Sequence, residues 1–409
     1  MFKKQGSWNI GFGSEFRMEN FISIAGEEAS YKKGGVVSFP GLQPRDEVDK
    51  KRYNVGFYSN IEFDNDVFLI GGAARFENYD DFGQTINWKL NSRVRLWNKR
   101  LTLRASASTG FRAPSLHQIY LSNVQTLVAA GSLSKQGTFN HESPVMRRLG
   151  VPELKQEESL NLSAGVTFNP VPNLEMTLDF YRVAVNDRVL LTNEIIGDTT
   201  QMNAVQEILS QQDISSLKFF VNAVDTRTEG LDLVITYGNV PVGSGRMYMN
   251  FAANINKTKI EGKIRTPKLI EESGNEIFNR KEQARIVSGR PVDKFLLGVG
   301  YEFRGLNVNF HLTRFGEVTW KHADGGVTGS DFDQTFSAKV ITDLNVSYSL
   351  PNAITFGLTV NNLLNVYPDE IDNKGDPLTD LGGRFKYPWE VNQFGFLGTV
   401  LSAKVNFKF

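Results

Sequence analysis

Apolar and polar residues alternate along most of this chain, and that alternation limits its fold more than any other feature. Near the C-terminus, Leu397, Leu401, Ala403, Val405, Phe407 and Phe409 share one parity, while Gly398, Ser402, Lys404, Asn406 and Lys408 share the other. In a strand these two sets point to opposite faces. The pattern recurs: Leu306, Val308, Phe310 and Leu312 oppose Asn307, Asn309, His311 and Thr313, and Ile354, Phe356, Leu358 and Val360 oppose Thr355, Gly357, Thr359 and Asn361. About fourteen such segments can be read, at 8–25, 52–64, 67–78, 86–96, 101–112, 155–168, 174–188, 220–237, 246–258, 285–303, 306–319, 338–350, 353–366 and 393–409. One helical period intervenes: Met202, Val205, Ile208 and Leu209 predict a short helix within a loop.

No apolar run approaches the roughly 18 residues of a spanning helix, so a helical membrane protein is excluded. A membrane barrel is not, because its strands hide their hydrophobicity in alternation. The connections favour the barrel. Tight ones, such as Asn65-Asp66, Trp97 to Arg100, Arg304-Gly305 and Pro351-Asn352, alternate with long ones, such as 113–154, 189–219 and 367–392. Outer-membrane barrels keep tight turns on the periplasmic side and long loops outside. The strands running toward the tight turns end in Phe63, Trp97, Phe168, Tyr237, Phe303, Tyr348 and Phe409, which predicts a lower aromatic girdle. A soluble sandwich would also alternate, but with short connections at both ends and strands of five or six residues. Leu306, Val308, Phe310, Phe356, Leu358, Val405 and Phe407 are therefore expected to face lipid, with Phe356 near the bilayer midplane. Asn307, Asn309, Thr355 and Asn406 are expected to face the lumen. Arg75, Arg93, Arg95, Arg104, Glu62, Asp179, Asp232 and Glu302 would line that lumen as well.

Composition removes other classes. The chain has no cysteine, which excludes a disulfide scaffold, thiol catalysis and cysteine-held metals. Its 45 basic and 45 acidic residues cancel, so no field for nucleic acid exists. None of the 4 histidines pair at helical metal-site spacing, and neither a cofactor nor a metal is expected. Lys3 and Lys4 are followed by Gln5, Gly6, Ser7 and Asn9 rather than an apolar stretch, so no signal peptide is read.

Several ordered motifs then carry a resemblance. Gly110-Phe111-Arg112-Ala113-Pro114-Ser115-Leu116 ends one strand, and Pro152-Glu153-Leu154-Lys155-Gln156-Glu157-Glu158-Ser159 opens the next. Asn222-Ala223-Val224-Asp225, then Glu229-Gly230-Leu231-Asp232-Leu233, begins another; Val360-Asn361-Asn362-Leu363-Leu364-Asn365-Val366-Tyr367 precedes the last long loop, and Phe409 ends the chain. Together they resemble the C-terminal barrel portion of a TonB-dependent outer-membrane receptor, across nearly the whole chain. The resemblance implies an all-β antiparallel transmembrane barrel portion, about 14 strands of a family-expected 22. Residues 1–409 would form a single barrel unit with no plug domain, and the simplest expectation is a fragment. It also implies localisation in the cell outer membrane and uptake of a scarce large ligand, such as a ferric siderophore or an oligosaccharide. The expected partners are outer-membrane lipid, the barrel-assembly machinery reading Val405, Phe407 and Phe409, and an upstream-encoded plug half with TonB. The rival is a standalone plugless passive pore.

The residues have scaffold readings too. Pro114 and Pro152 stop strand pairing, Asn361 and Asn362 can set a turn, and Gly230 marks a bulge or a close backbone approach. Arg112, His117 and His141 are the candidate ligand-binding residues. A haem-receptor reading would use His117 or His141 on iron after Phe111-Arg112-Ala113-Pro114. The second box of such receptors is not matched by Val151-Pro152-Glu153-Leu154, and two solvated loop histidines are the plainer expectation. An enzyme reading would pair His322 with Asp324 near Ser330, but that loop, with Gly325, Gly326 and Gly329, lacks a rigid support. The chain is not read as an enzyme.

Overall fold

The computed structural model describes residues 6–32, 41–129, 132–197, 203–323, 331–351, 354–372, 376 and 384–407. Fourteen strands join, in chain order, into one antiparallel sheet. They are β1 (Ser7–Ser23), β2 (Val48–Asp64), β3 (Phe68–Tyr79), β4 (Gly83–Leu96), β5 (Leu101–Arg112), β6 (Glu157–Phe168) and β7 (Leu174–Leu191). The sheet continues through β8 (Phe220–Val242), β9 (Gly245–Glu261), β10 (Asp293–Phe303), β11 (Leu306–Phe315), β12 (Lys339–Ser349), β13 (Ile354–Asn361) and β14 (Val400–Phe407). Each alternating segment of the sequence supplies one strand. Among the described residues, β1 pairs only with β2 and β14 only with β13, so the sheet stands open. No helix among them is long and apolar enough to cross a membrane.

Local chemistry sets the turns. Arg304 and Gly305 adopt φ of 46° and 83°, the left-handed pair of a two-residue hairpin whose twist matches its strands. In the 97–100 turn Arg100 N donates to Trp97 O at 3.0 Å. Asn362 works as expected: its side chain accepts from Val366 N at 2.9 Å and donates to Val366 O at 2.7 Å, bending the chain out of β13.

Several strand ends differ from expectation by up to five residues, and two starts differ by more. Residues 285–287 belong to a helix, Arg280–Val287, and β10 begins at Asp293. Asn279 caps that helix by accepting from Glu282 N, and Arg-Lys-Glu-Gln-Ala propagates it. The last strand begins at Val400 rather than near 393, because Gly398 turns at φ 70° and Thr399 N donates to Asn365 Oδ1 at 3.0 Å. The loop helix around Val205 spans Ala204–Gln211, with Val205, Ile208 and Leu209 buried, and Met202 lies outside the described residues. Gly230 sits in regular register opposite Tyr181, not in a bulge. A Cβ there would stand 2.5 Å from the Tyr181 ring and 2.9 Å from Ile255 O, so the close-approach reading holds.

Register separates the two faces. Phe310 lies opposite Val299 on β10 and Leu344 on β12, whereas Asn309 lies opposite Gly300 and Asn345. Phe356 lies between Tyr348 and Val405, and Thr355 lies opposite Asn406. The apolar face is left uncovered: Phe12 is 85 % exposed and Phe407 61 %. An apolar surface running across the whole sheet matches lipid rather than water. Phe63 packs between Trp8 and Phe68, with ring centroids 5.0 and 5.4 Å away, and Trp97 packs on Phe168 at 6.4 Å. These contacts place the aromatic girdle at the tight-turn end. Phe409 lies outside the described residues. Phe356 is a neighbour of Tyr348 on β12 and lies only two residues into β13, so it belongs at girdle height and not at the midplane. The polar face carries ion pairs: Arg93 reaches Asp64 at 2.6 Å, and Arg104 Nε donates to Asp179 at 2.9 Å.

The long loops make a core of their own. Met146, Leu149, Ile195, Leu217, Phe219, Ile270 and Ile277 are fully buried there. A four-stranded sheet built from Asn123–Ala129, Ser132–Thr138, Ile195–Ile196 and Ser216–Lys218 frames them. A second, smaller cluster joins Val318, Trp320, Phe336, Ile371 and Val391.

Candidate functional site

The polar face holds a concavity of about 670 Å³ at the long-loop end of β1, β2, β3 and β5. Parity builds it. On β1, Glu15, Arg17, Glu19 and Phe21 share the polar face, and the register sets Arg17 against Asn54 and Glu19 against Arg52. Glu77 and Tyr79 follow on β3, against Gly56 and Asn54.

Four arginines line the hollow, and each leans on carboxylates. Arg75 Nη2 donates to Glu15 at 2.8 Å and to Glu77 at 2.9 Å, and Arg17 Nη2 donates to Glu15 at 2.6 Å. Arg52 is buried. Its Nε donates to Asp81 at 2.7 Å and its Nη1 to Pro114 O at 2.8 Å, beside the stacked rings of Tyr79 and Phe82. Arg112 holds Glu157 through two bonds, its Nε donating at 2.8 Å, and Glu157 in turn accepts from Val189 N at 2.7 Å. The side chains of Arg17 and Arg112 remain 47 % and 51 % exposed, so their remaining N–H groups face the opening. The hollow therefore offers guanidinium donors and aromatic surface over anchored carboxylates, a lining that suits a large ligand bearing anionic oxygens.

Two of the three candidate ligand residues meet here. Arg112 and His117 both line the concavity. His117 is the second residue of the helix Leu116–Tyr120, which Ser115 caps by accepting from Gln118 N, and its ring lies 4.6 Å from that of Phe21. His141 is elsewhere and is not solvated: it is 7 % exposed. Its Nε2 lies 2.7 Å from Phe220 O and its Nδ1 3.1 Å from Pro152 O. Burial holds this imidazole below its ordinary range, against the pull of the two carbonyls. Both ring nitrogens are thus engaged by the loop framework. Arg17, Arg52 and Tyr79 were not singled out from the sequence. Their signal was available, since each is a polar or amphipathic residue on the lumen parity at the outer end of a strand.

The other readings place differently. His322 is 8 % exposed and lies 3.7 Å from Asp376, while Asp324 and Ser330 lie outside the described residues. Val405 and Phe407 are exposed on the apolar face.

Many solved structures share this fold. The siderophore receptor PirA from Acinetobacter baumannii superposes with a TM-score of 0.62 at 14 % identity, covering 100 % of this chain and 53 % of that one. A single-residue mutant of the ferric enterobactin receptor PfeA from Pseudomonas aeruginosa gives 0.63 at 14 % identity, covering 98 % and 51 %. The FrpB iron transporter from Neisseria meningitidis gives 0.60 at 12 % identity, covering 98 % and 52 %. This chain therefore spans about half the length of the structures it resembles. No curated protein matches it by sequence. The family described as TonB dependent receptor-like, beta-barrel matches residues 2–363, and the chain belongs to that family.

Proposed function

We propose that this chain forms the wall of an outer-membrane receptor and transporter for a scarce, large, anionic ligand, a ferric siderophore being the class best supported. The observation that carries the reading is the arginine-lined concavity. Its volume of about 670 Å³ suits a ligand of chelator size. Arg17 and Arg112 face its opening with free donors, and Arg52 and Arg75 are held behind them. Iron would arrive enclosed by its chelator, so the wall needs donors to anionic oxygen rather than metal ligands. Solved relatives named as a siderophore receptor and a ferric enterobactin receptor support the same class.

In this reading lipid surrounds the apolar face, and the assembly machinery reads Val405, Phe407 and Phe409. A plug unit and TonB couple the wall to energy. Arg112 and His117 contact ligand, and His141 serves the loop framework. The rival reading, a passive pore closed by this chain alone, needs a ladder between β1 and β14, and the described residues form none.

The test is a titration of the purified chain in detergent with a ferric tris-catecholate, followed by quenching of protein fluorescence. Charge-assisted hydrogen bonds contribute about 1.5–3 kcal/mol each, so Arg17→Ala and Arg112→Ala should each weaken binding about tenfold or more. Equal affinity for a cationic ferric chelate, or unchanged binding in both variants, would overturn the proposal.

A further inference from the structure

A second charged cluster lies on the opposite side of the wall, on the face that the register assigns to lipid. On β7, β8 and β9 that face is apolar through Phe180, Leu231 and Ile255, and then it changes character. The next row outward sets Arg182 against Glu229 and Glu229 against Lys257, and the row beyond sets Arg227 against Lys259. Four cations are thus gathered around Glu229, with Glu261 above. Arg182 and Arg227 each approach Glu229 to 3.6 Å, and Arg227 reaches Glu261 at 3.0 Å. Lys257 and Lys259 are exposed and form no ion pair among the described residues. The cluster carries two positive charges in excess.

Its height points to the partner. From Met247 to Ile255 the strand rises about 27 Å along its length, or about 20 Å vertically at a tilt near 40°. That is close to the height of the apolar band of a membrane barrel, roughly 25 Å. Lys257 and Lys259 therefore stand where hydrocarbon gives way to headgroups on the long-loop side. A group that lies beside lipid and collects excess positive charge selects an anionic headgroup. Two guanidinium forks and two ammonium groups match the tetrahedral oxygens of a phosphate monoester.

We infer that this cluster binds the phosphate of a phosphorylated lipid in the outer leaflet, with Lys257 and Lys259 as its principal contacts. The inference rests on the membrane reading given under Proposed function. The experiment therefore begins with flotation of the full chain on phosphatidylcholine vesicles. Native mass spectrometry of the same preparation then measures retention of phosphatidic acid against phosphatidylcholine. A basic residue at a charged membrane surface contributes about fivefold, so Lys257→Gln with Lys259→Gln should weaken phosphatidic acid retention about 30-fold. Arginine at both positions should restore it, and glutamine at Lys89 and Lys294, on the polar face, should leave it unchanged. Inorganic phosphate at equal concentration should not compete. Flotation without preference for phosphatidic acid would overturn the inference and leave the membrane reading standing. A preference that survives the glutamine pair, or that inorganic phosphate abolishes, would also overturn it. Failure to float at all would remove both.

Discussion

A charge placed on the apolar face should be costly in proportion to its depth, and the register supplies the depth. Phe310 lies on β11 four residues beyond Leu306, the first residue after the Arg304-Gly305 turn. Four residues of tilted strand raise it about 10 Å above the girdle, close to the middle of a band about 25 Å tall. Its cross-strand neighbours are Val299 and Leu344, so an arginine there finds no carboxylate beside it. Phe310→Arg should therefore cost about 2–4 kcal/mol. Phe356→Arg, beside Tyr348 at girdle height, should cost about 1 kcal/mol or less, because the long side chain reaches the interface. Asn309→Arg, one residue away but on the polar face, should cost almost nothing. The assay is urea-dependent unfolding of the chain refolded into phosphatidylcholine vesicles. If Asn309→Arg costs as much as Phe310→Arg, the face assignment is wrong. If Phe356→Arg costs as much as Phe310→Arg, the depth assignment is wrong.

Gly230→Ala should destabilise the same refolded state by about 1–3 kcal/mol, because its Cβ would meet the Tyr181 ring and Ile255 O; a truncated Tyr181 should recover part of the loss. The neutral His141 is favoured by burial, so the unfolded loops bind a proton more readily than the folded ones. Protection of residues 139–152 against amide exchange should be complete above about pH 6.5 and fall as the pH drops below it, whereas His141→Gln should flatten that dependence. Glu390 is buried against Lys281 at 3.2 Å and also accepts from Arg285 and from Trp320 Nε1. Glu390→Ala should loosen the loops it joins by about 2–3 kcal/mol, less than a fully buried pair because Arg285 keeps contact with water, and should speed tryptic cleavage after Lys281.

The strands were legible because alternation belongs to one strand at a time and needs no partner to be seen. Leu306 to Leu312 declares its two faces by itself, and the registers then had one arrangement that kept those faces continuous. The start of the 285–303 segment was not legible by the same rule. Val287 keeps the parity of Phe295, Leu297 and Val299, but Asn279 caps a helix and Ala284 packs it into the loops, a contact between distant parts of the chain. The site was half legible. Parity could mark Arg17, Arg52 and Arg75 as lumen residues, but not that Arg52 would be spent on Asp81 and Pro114 O. Nothing near His141 foretold that Phe220, 79 residues away, would close over it.

The loop core bears on how the concavity can work. A binding surface carried on long, unsupported loops would lose much of its gain to ordering them. Here the arginines stand on strands, and the loops that border the mouth are tied to the same strands. Arg112 fixes Glu157, and Glu157 fixes the backbone of β7 through Val189 N. His141 ties the 113–156 connection to Phe220 at the start of β8, and Arg52 ties Pro114 at its beginning to β2. These bonds tie β2, β5, β7, β8 and the 113–156 connection to one another around the hollow. It follows that the arginines divide by what they already hold. Arg52, buried and engaged by Asp81 and Pro114 O, positions the wall, while Arg17 and Arg112, half exposed with donors to spare, are the groups that would, in the proposed function, close on an anion without first breaking a bond to the protein.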